Sequence, residues 1–236
     1  MRIGPDSRLI DQRLTEWRLL EQARRQRAST TQPSARVTQV ITISRQYGAG
    51  GRTVANLVAP QLGNDWTVWD TELIEAIAKR ADVRKQIVEE MDEKTQSWVT
   101  QMVQHMVGGQ HLDAQSYKHH LAPVLLAIAQ QGRKIIVGRG ANFVLPQALN
   151  VRLEASLSFR VCETMRRLSI GREEADHLVQ RMEKERRDFS RAVFGRDIAD
   201  PSAYHMVLKT DRLGYDITAS LIVTAARLLL NVEGAA

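Results

Sequence analysis

Val40-Ile41-Thr42-Ile43-Ser44 runs directly into Arg45-Gln46-Tyr47-Gly48-Ala49-Gly50-Gly51-Arg52-Thr53. The first five residues are a short β-branched run, as expected of a strand buried on both faces. Closely spaced glycines follow, and then a helical pattern from Arg52 to about Leu62. In a strand, glycine loop, helix succession, backbone N–H groups converge on an anion and the helix presents its positive dipole end to it. Set against G-x-x-x-x-G-K-[ST], Arg45 stands at the first glycine, Gly51 at the lysine and Arg52 at the Mg²⁺-binding hydroxyl. Thr53 comes one place late. Phosphate contacts are expected from Gly48, Ala49, Gly50, Gly51, Arg52 and Thr53, with Thr53 the candidate for Mg²⁺. A tight turn alone would explain the glycines; the arginines on either side favour an anion.

Working outward, Trp66 to Trp69 reads as a second strand ending at Asp70. Lys134-Ile135-Ile136-Val137 reads as a third, closed by Gly138-Arg139-Gly140. Asn150 to Glu154 and His205 to Lys209 complete five. Helical patterns fill Thr71 to about Met106, Leu121 to Gln131, two Arg-rich stretches and Tyr215 to Leu230. Alternating strands and helices predict an α/β fold, a parallel sheet covered by helices. Ligands of such sheets sit beyond the carboxyl ends of the strands, where Arg45, Asp70 and Arg139 fall.

At 236 residues and 26.6 kDa the chain suits one such domain with an extension or insertion. Its apolar and charged fractions, 43% and 25%, exclude disordered and fibrous classes. The longest uncharged apolar run, Leu121 to Ala129, is under half the ~20 residues a membrane helix needs. The opening Met1-Arg2-Ile3-Gly4-Pro5-Asp6 lacks the apolar core of a signal peptide. With Cys162 as the sole cysteine, the expected compartment is the cytoplasm. A formal charge of +6, carried mostly by arginine, favours an anionic partner.

Residues 1–36 read as an extension, with Ile10, Leu14, Trp17 and Leu20 at helical spacing among arginines. Packing of this stripe on the following domain is the favoured reading. Nucleic-acid contact, membrane-surface contact and a homo-oligomer formed through this helix are the others.

Later blocks add a resemblance. Gly138-Arg139-Gly140, Asn150 to Ser156, Phe159-Arg160-Val161, Met165-Arg166-Arg167, Glu183 to Arg191 and Leu208 to Gly214 stand in order. Together with Ile43 to Arg52 and Trp69 to Ile74, they resemble the cytidylate kinase-like proteins of bacteria, within the P-loop nucleoside monophosphate kinases. The resemblance covers about residues 38 to 230. It implies a P-loop NTPase-type parallel sheet within residues 37–236, with a helical acceptor-binding insertion at about 70–131. A helical lid at about 158–191 would complete it.

The implied activity is transfer of the ATP γ-phosphoryl group to a CMP- or dCMP-like nucleoside monophosphate, or to another small anionic acceptor. ATP and Mg²⁺ would be the cofactors. Arg187, Asp188 and Arg191 match an Arg-Asp-x-x-Arg arrangement that holds the acceptor's sugar and phosphate. Arg45, Arg187 and Arg191 are then the catalytic candidates, and Asp70, Arg139 and Asp188 the acceptor-binding ones. Arg160, Arg166 and Arg167 are lid arginines that would close over the phosphates. Gly140 stands where cytidylate kinases carry an aspartate, and the loop lysine is absent. A nucleotide-binding sensor without turnover is therefore the alternative.

Other groupings have bland readings. His111, His119 and His120 lack metal-ligand spacing. Glu89, Glu90, Asp92 and Glu93 suit a solvated helix face, and Glu183 with Arg187 an i,i+4 pair.

Overall fold

A computed structural model describes residues 7–28, 39–79 and 120–232. In chain order these form α1 (Ser7–Ala28), β1 (Val40–Arg45), α2 (Gly51–Leu62), β2 (Thr67–Asp70) and α3 (Thr71–Lys79). Then come α4 (Ala122–Gln130), β3 (Lys134–Val137), α5 (Ala141–Val144) and β4 (Leu149–Glu154). The chain continues through α6 (Leu157–Leu168), α7 (Arg172–Phe194), β5 (Met206–Lys209) and α8 (Thr210–Leu229). Among the described residues the strands make one parallel five-stranded sheet, in the order β2-β3-β1-β4-β5.

β1 lies at the centre, which explains its composition. Ile41 and Ile43 pair with Ile135 and Val137 of β3 on one side and Leu149 and Val151 of β4 on the other. Covered on both faces, β1 can be apolar throughout. Ile41, Ile43, Ile135, Val151 and Leu153 pack with α2 and α8; Val40 and Ile136 pack on the other face with α1, α3 and α4. Thr42 is buried and donates to Asn150 Oδ1, so the polar group in the strand is satisfied.

The five expected strands are all present. The closing helix begins at Thr210 instead of Tyr215 and is interrupted at Gly214, whose φ of 73° leaves the helical region. Residues 80–119 lie outside the described residues. With them go most of the expected insertion, His111, His119 and the acidic run at 89–93. Among the described residues no helix is long and apolar enough to cross a membrane.

The extension is part of the core. Ile10, Leu14 and Trp17 of α1 are buried in the same cluster as Leu73, Ile74 and Ile77 of α3 and Val124 and Leu125 of α4. Gln131 Nε2 also donates to the Trp17 carbonyl at 2.9 Å. Three residues of the apolar stripe on α1, Ile10, Leu14 and Trp17, are thus buried within the chain, as the packing reading expects, while the fourth, Leu20, is 46% exposed.

Lys134, the first residue of β3, is 2% exposed. Burial, and secondarily Arg13, bring its pKa down to about 8 against the opposing pull of Glu16. An unfolded lysine titrates near ~10.4. Between these values the unfolded chain holds a proton that the folded chain has released, so stability rises with pH. Urea unfolding between pH 8 and 10.5 should show a gain of up to about 3 kcal/mol relative to Lys134→Met, which removes this titration. Trp17→Ala should cost about 3–5 kcal/mol in the same assay at neutral pH; an unchanged midpoint would mean α1 is not docked.

Candidate functional site

The loop after β1 turns into α2 through Gly50, whose φ of 77° and ψ of 21° are left-handed. A Cβ there would also strike the Tyr215 ring. Ala49 N–H closes the turn on Gln46 O at 3.2 Å. The Gln46 side chain accepts from Ala155 N at 2.9 Å, and Thr210 Oγ1 donates to Ala49 O at 3.1 Å. β4 and α8 therefore hold the loop in place. The first-turn N–H groups of α2 have no acceptor within their own helix and carry its positive dipole end.

Arg45 leaves the end of β1 and passes between Gly51 and Gly138, where a Cβ on either glycine would collide with it. Its Nη2 donates to Thr71 Oγ1 at 3.2 Å, and that hydroxyl donates to Val137 O at 2.8 Å. Burial lowers the Arg45 pKa well below its ordinary value. Arg186 and Arg139 lower it further, while Asp70 and Glu72 act the other way. Arg186 is lowered too, chiefly by burial and then by Arg167 and Arg152, against Glu183 and Tyr47. Guanidinium groups remain charged under such shifts. The strand ends thus gather several guanidinium groups, the buried Arg45 among them, and positive charge there attracts an anion.

Asp70 caps α3 by accepting from Leu73 N at 3.0 Å, and its other oxygen lies 3.2 Å from Arg52. Arg52 also pairs with Glu72 at 3.5 Å, so its guanidinium leans toward β2 and α3. Arg139 has a φ of 53°, pairs with Glu75 and lies 5.3 Å from the Phe189 ring centroid. The structure gathers Arg45, Gly48 to Arg52, Asp70 and Arg139 at one end of the sheet.

The lid candidates divide. Arg160 is buried; its Nε donates to Ala155 O at 3.0 Å and its Nη1 approaches Tyr47 O at 3.5 Å. Arg167 donates to Tyr47 Oη at 2.7 Å. Arg166 is exposed and engages Glu163 at 3.1 Å. Arg187 and Asp188 are exposed, Asp188 accepting from Lys184 at 3.1 Å, and Arg191 pairs with Asp197 at 3.4 Å. The expected Glu183–Arg187 pair does not form. Glu183 turns inward, accepts from the Tyr47 backbone N–H and lies 3.8 Å from Arg160.

Arg186, Glu183 and Tyr47 are the residues that sequence reasoning missed. The signal was helical phase. Val179, Glu183, Arg186, Ser190 and Val193 recur at steps of four and three, the inward stripe of α7. Asp188 lies about 200° around the helix from Arg186.

Of the described residues near the loop that could face Mg²⁺, Thr53 is exposed on the first turn of α2, while Asp70 and Glu72 face Arg52. Among the described residues no three His, Cys, Asp or Glu side chains converge on a metal position. Such a donor set fits an ion carried by phosphate oxygens and water.

The family model for the cytidylate kinase-like family matches residues 40–212. Among curated proteins, the cytidylate kinase of Methanopyrus kandleri is 32% identical over 116 residues, spanning 44% of this chain and 60% of that protein's length. Among solved structures, an uncharacterized protein from Eubacterium ventriosum superposes with a TM-score of 0.55 at 18% identity. The superposition covers 81% of this chain and 99% of the other. That likeness bears on the fold alone.

Gly50→Ala should lower stability by about 1–3 kcal/mol through left-handed strain and the Tyr215 clash, read as a fall in the thermal midpoint.

Proposed function

The chain belongs to the cytidylate kinase-like family, and on that premise we propose that it is a phosphotransferase acting on nucleotides. It moves the γ-phosphoryl group of Mg-ATP to a nucleoside monophosphate of the CMP or dCMP kind, or to another small anionic acceptor. The observation that carries this reading is the meeting of Arg45, Arg139 and Arg186 beside the glycine loop.

The triphosphate lies along the first turn of α2, its oxygens on backbone N–H groups from Gly48 to Thr53. Mg²⁺, when bound, neutralises charge on the phosphate oxygens, with Thr53 as its protein neighbour. Arg45 supplies the cation that the missing lysine does not, and Arg139 faces the acceptor phosphate. An acceptor oxygen attacks the γ-phosphorus while the bond to the β–γ bridging oxygen breaks, releasing ADP. Charge spreads over the equatorial oxygens, so positioning and fixed positive charge are the protein's main contribution. Residues 37–236 form the catalytic domain, with residues 1–36 as its extension. The acceptor insertion runs over about 70–131, and α6 and α7 serve as the lid. Arg187, Asp188 and Arg191, solvent-facing here, hold the acceptor's sugar and phosphate in this reading. The working compartment is the cytoplasm.

A regulatory nucleotide-binding module is the second reading. Gly51 at the lysine position favours it, together with the engagement of Arg52 by Asp70 and Glu72.

Release of ADP from Mg-ATP, with CMP, dCMP and other monophosphates supplied singly, separates the two. Acceptor-dependent release is expected, and Arg45→Ala should reduce turnover on the order of 10²-fold or more. Saturable ATP binding without release for any acceptor would replace the kinase with the regulatory module. Full turnover in Arg45→Ala would remove Arg45 from the mechanism.

A further inference from the structure

The lid helices share a small apolar cluster of their own, distinct from the two cores flanking the sheet. Val161, Ala175 and Val179 form it, with Met165 and Ile170 packed against them. Tyr47 of the glycine loop packs into the same cluster. Two guanidinium groups lie over the Tyr47 ring, Arg167 of α6 at 5.1 Å and Arg186 of α7 at 5.3 Å from its centroid. Its hydroxyl accepts from Arg167 at 2.7 Å. Its backbone is held as well, the N–H by Glu183 of α7 and the carbonyl by Arg160 of α6 at 3.5 Å. One residue on, Gly48 is so close to the Arg160 backbone that a Cβ would lie 2.6 Å from its carbonyl oxygen. Two residues back, Arg186 Nη1 donates to Arg45 O at 2.7 Å.

We propose that Tyr47 is a positioning residue that ties both lid helices to the glycine loop. Through it, the seating of a polyphosphate in the loop and the placement of Arg167 and Arg186 are set together. The inference rests on the phosphotransferase reading for the nature of the ligand. Its chemistry is that of an amphipathic ring. A guanidinium stacked on an aromatic face is held by its plane, which leaves edge N–H groups directed past the ring. Arg186 spends one such N–H on the Arg45 carbonyl, at the mouth of the loop. A phosphate arriving there meets cations already oriented, so less side-chain freedom is lost on binding.

If the contact only packs the lid, any apolar side chain of suitable size would serve. If it positions the arginines, the aromatic face is needed. Tyr47→Phe keeps the face and loses one hydrogen bond; Tyr47→Leu keeps the apolar packing and loses the face. Binding of inorganic tripolyphosphate and of ATP, followed by calorimetry on the full chain, distinguishes them without turnover. The expected result is affinity within about threefold of the parent for Tyr47→Phe and a loss of about tenfold for Tyr47→Leu. Arg167→Gln, an exposed change outside the apolar cluster, should weaken tripolyphosphate by about threefold or more. Equal affinities in Phe and Leu variants, or an unaltered Arg167→Gln, would overturn the positioning role and leave the phosphotransferase reading standing. A parent protein that binds neither tripolyphosphate nor ATP would overturn both.

Discussion

The seating of one buried arginine governs the arrangement around it. Arg45 stands at the end of the central strand with its aliphatic stem against Gly51 and its guanidinium against Gly138, where an added Cβ would meet it. That seating links the start of α2 to the end of β3, and through Thr71 to the start of α3. Three loops at the carboxyl edge of the sheet are thereby fixed relative to one another. Charge follows from the same placement. A cation sheltered from water beside Arg139 and Arg186 is unfavourable by itself and becomes favourable when an anion joins it. The departure of this loop from the usual phosphate-binding pattern is therefore coherent. In the proposed reading, the cation stands at the end of the strand and not at the head of the helix.

Much of this was legible in the sequence where one physical rule acts alone. A central parallel strand must be apolar on both faces, and Val40 to Ser44 admits few other readings. Gly50 needed a left-handed turn, and the glycine cluster announced it. Legibility failed where two roles compete for one side chain. Asp70 sits at a strand end, which suits ligand contact, yet one of its oxygens caps α3 and the other meets Arg52. In α7, matching the motif selects Arg187, Asp188 and Arg191, while helical phase selects Glu183 and Arg186. The motif concerns what a ligand would meet and the phase concerns what the loop meets. In the described arrangement the phase determines the contacts. Tyr47 was obscured for a related reason, since a bulky ring in a glycine loop acquires meaning only from helices more than a hundred residues downstream.

The placement of α1 has a mechanical consequence. Residues 80–119 depart from α3 and return through α4, and both helices share an apolar cluster with α1. The helix that leads into residues 80–119 and the helix that follows them are thus both packed on α1, a segment that precedes either of them in the chain. β2 leads directly into α3, and α4 leads into β3, the neighbour of β2 in the sheet. Whatever path the excursion takes, its two feet keep a fixed stance on the sheet edge. A disturbance of α1 would therefore reach β2 and β3 at the sheet edge through both of these helices.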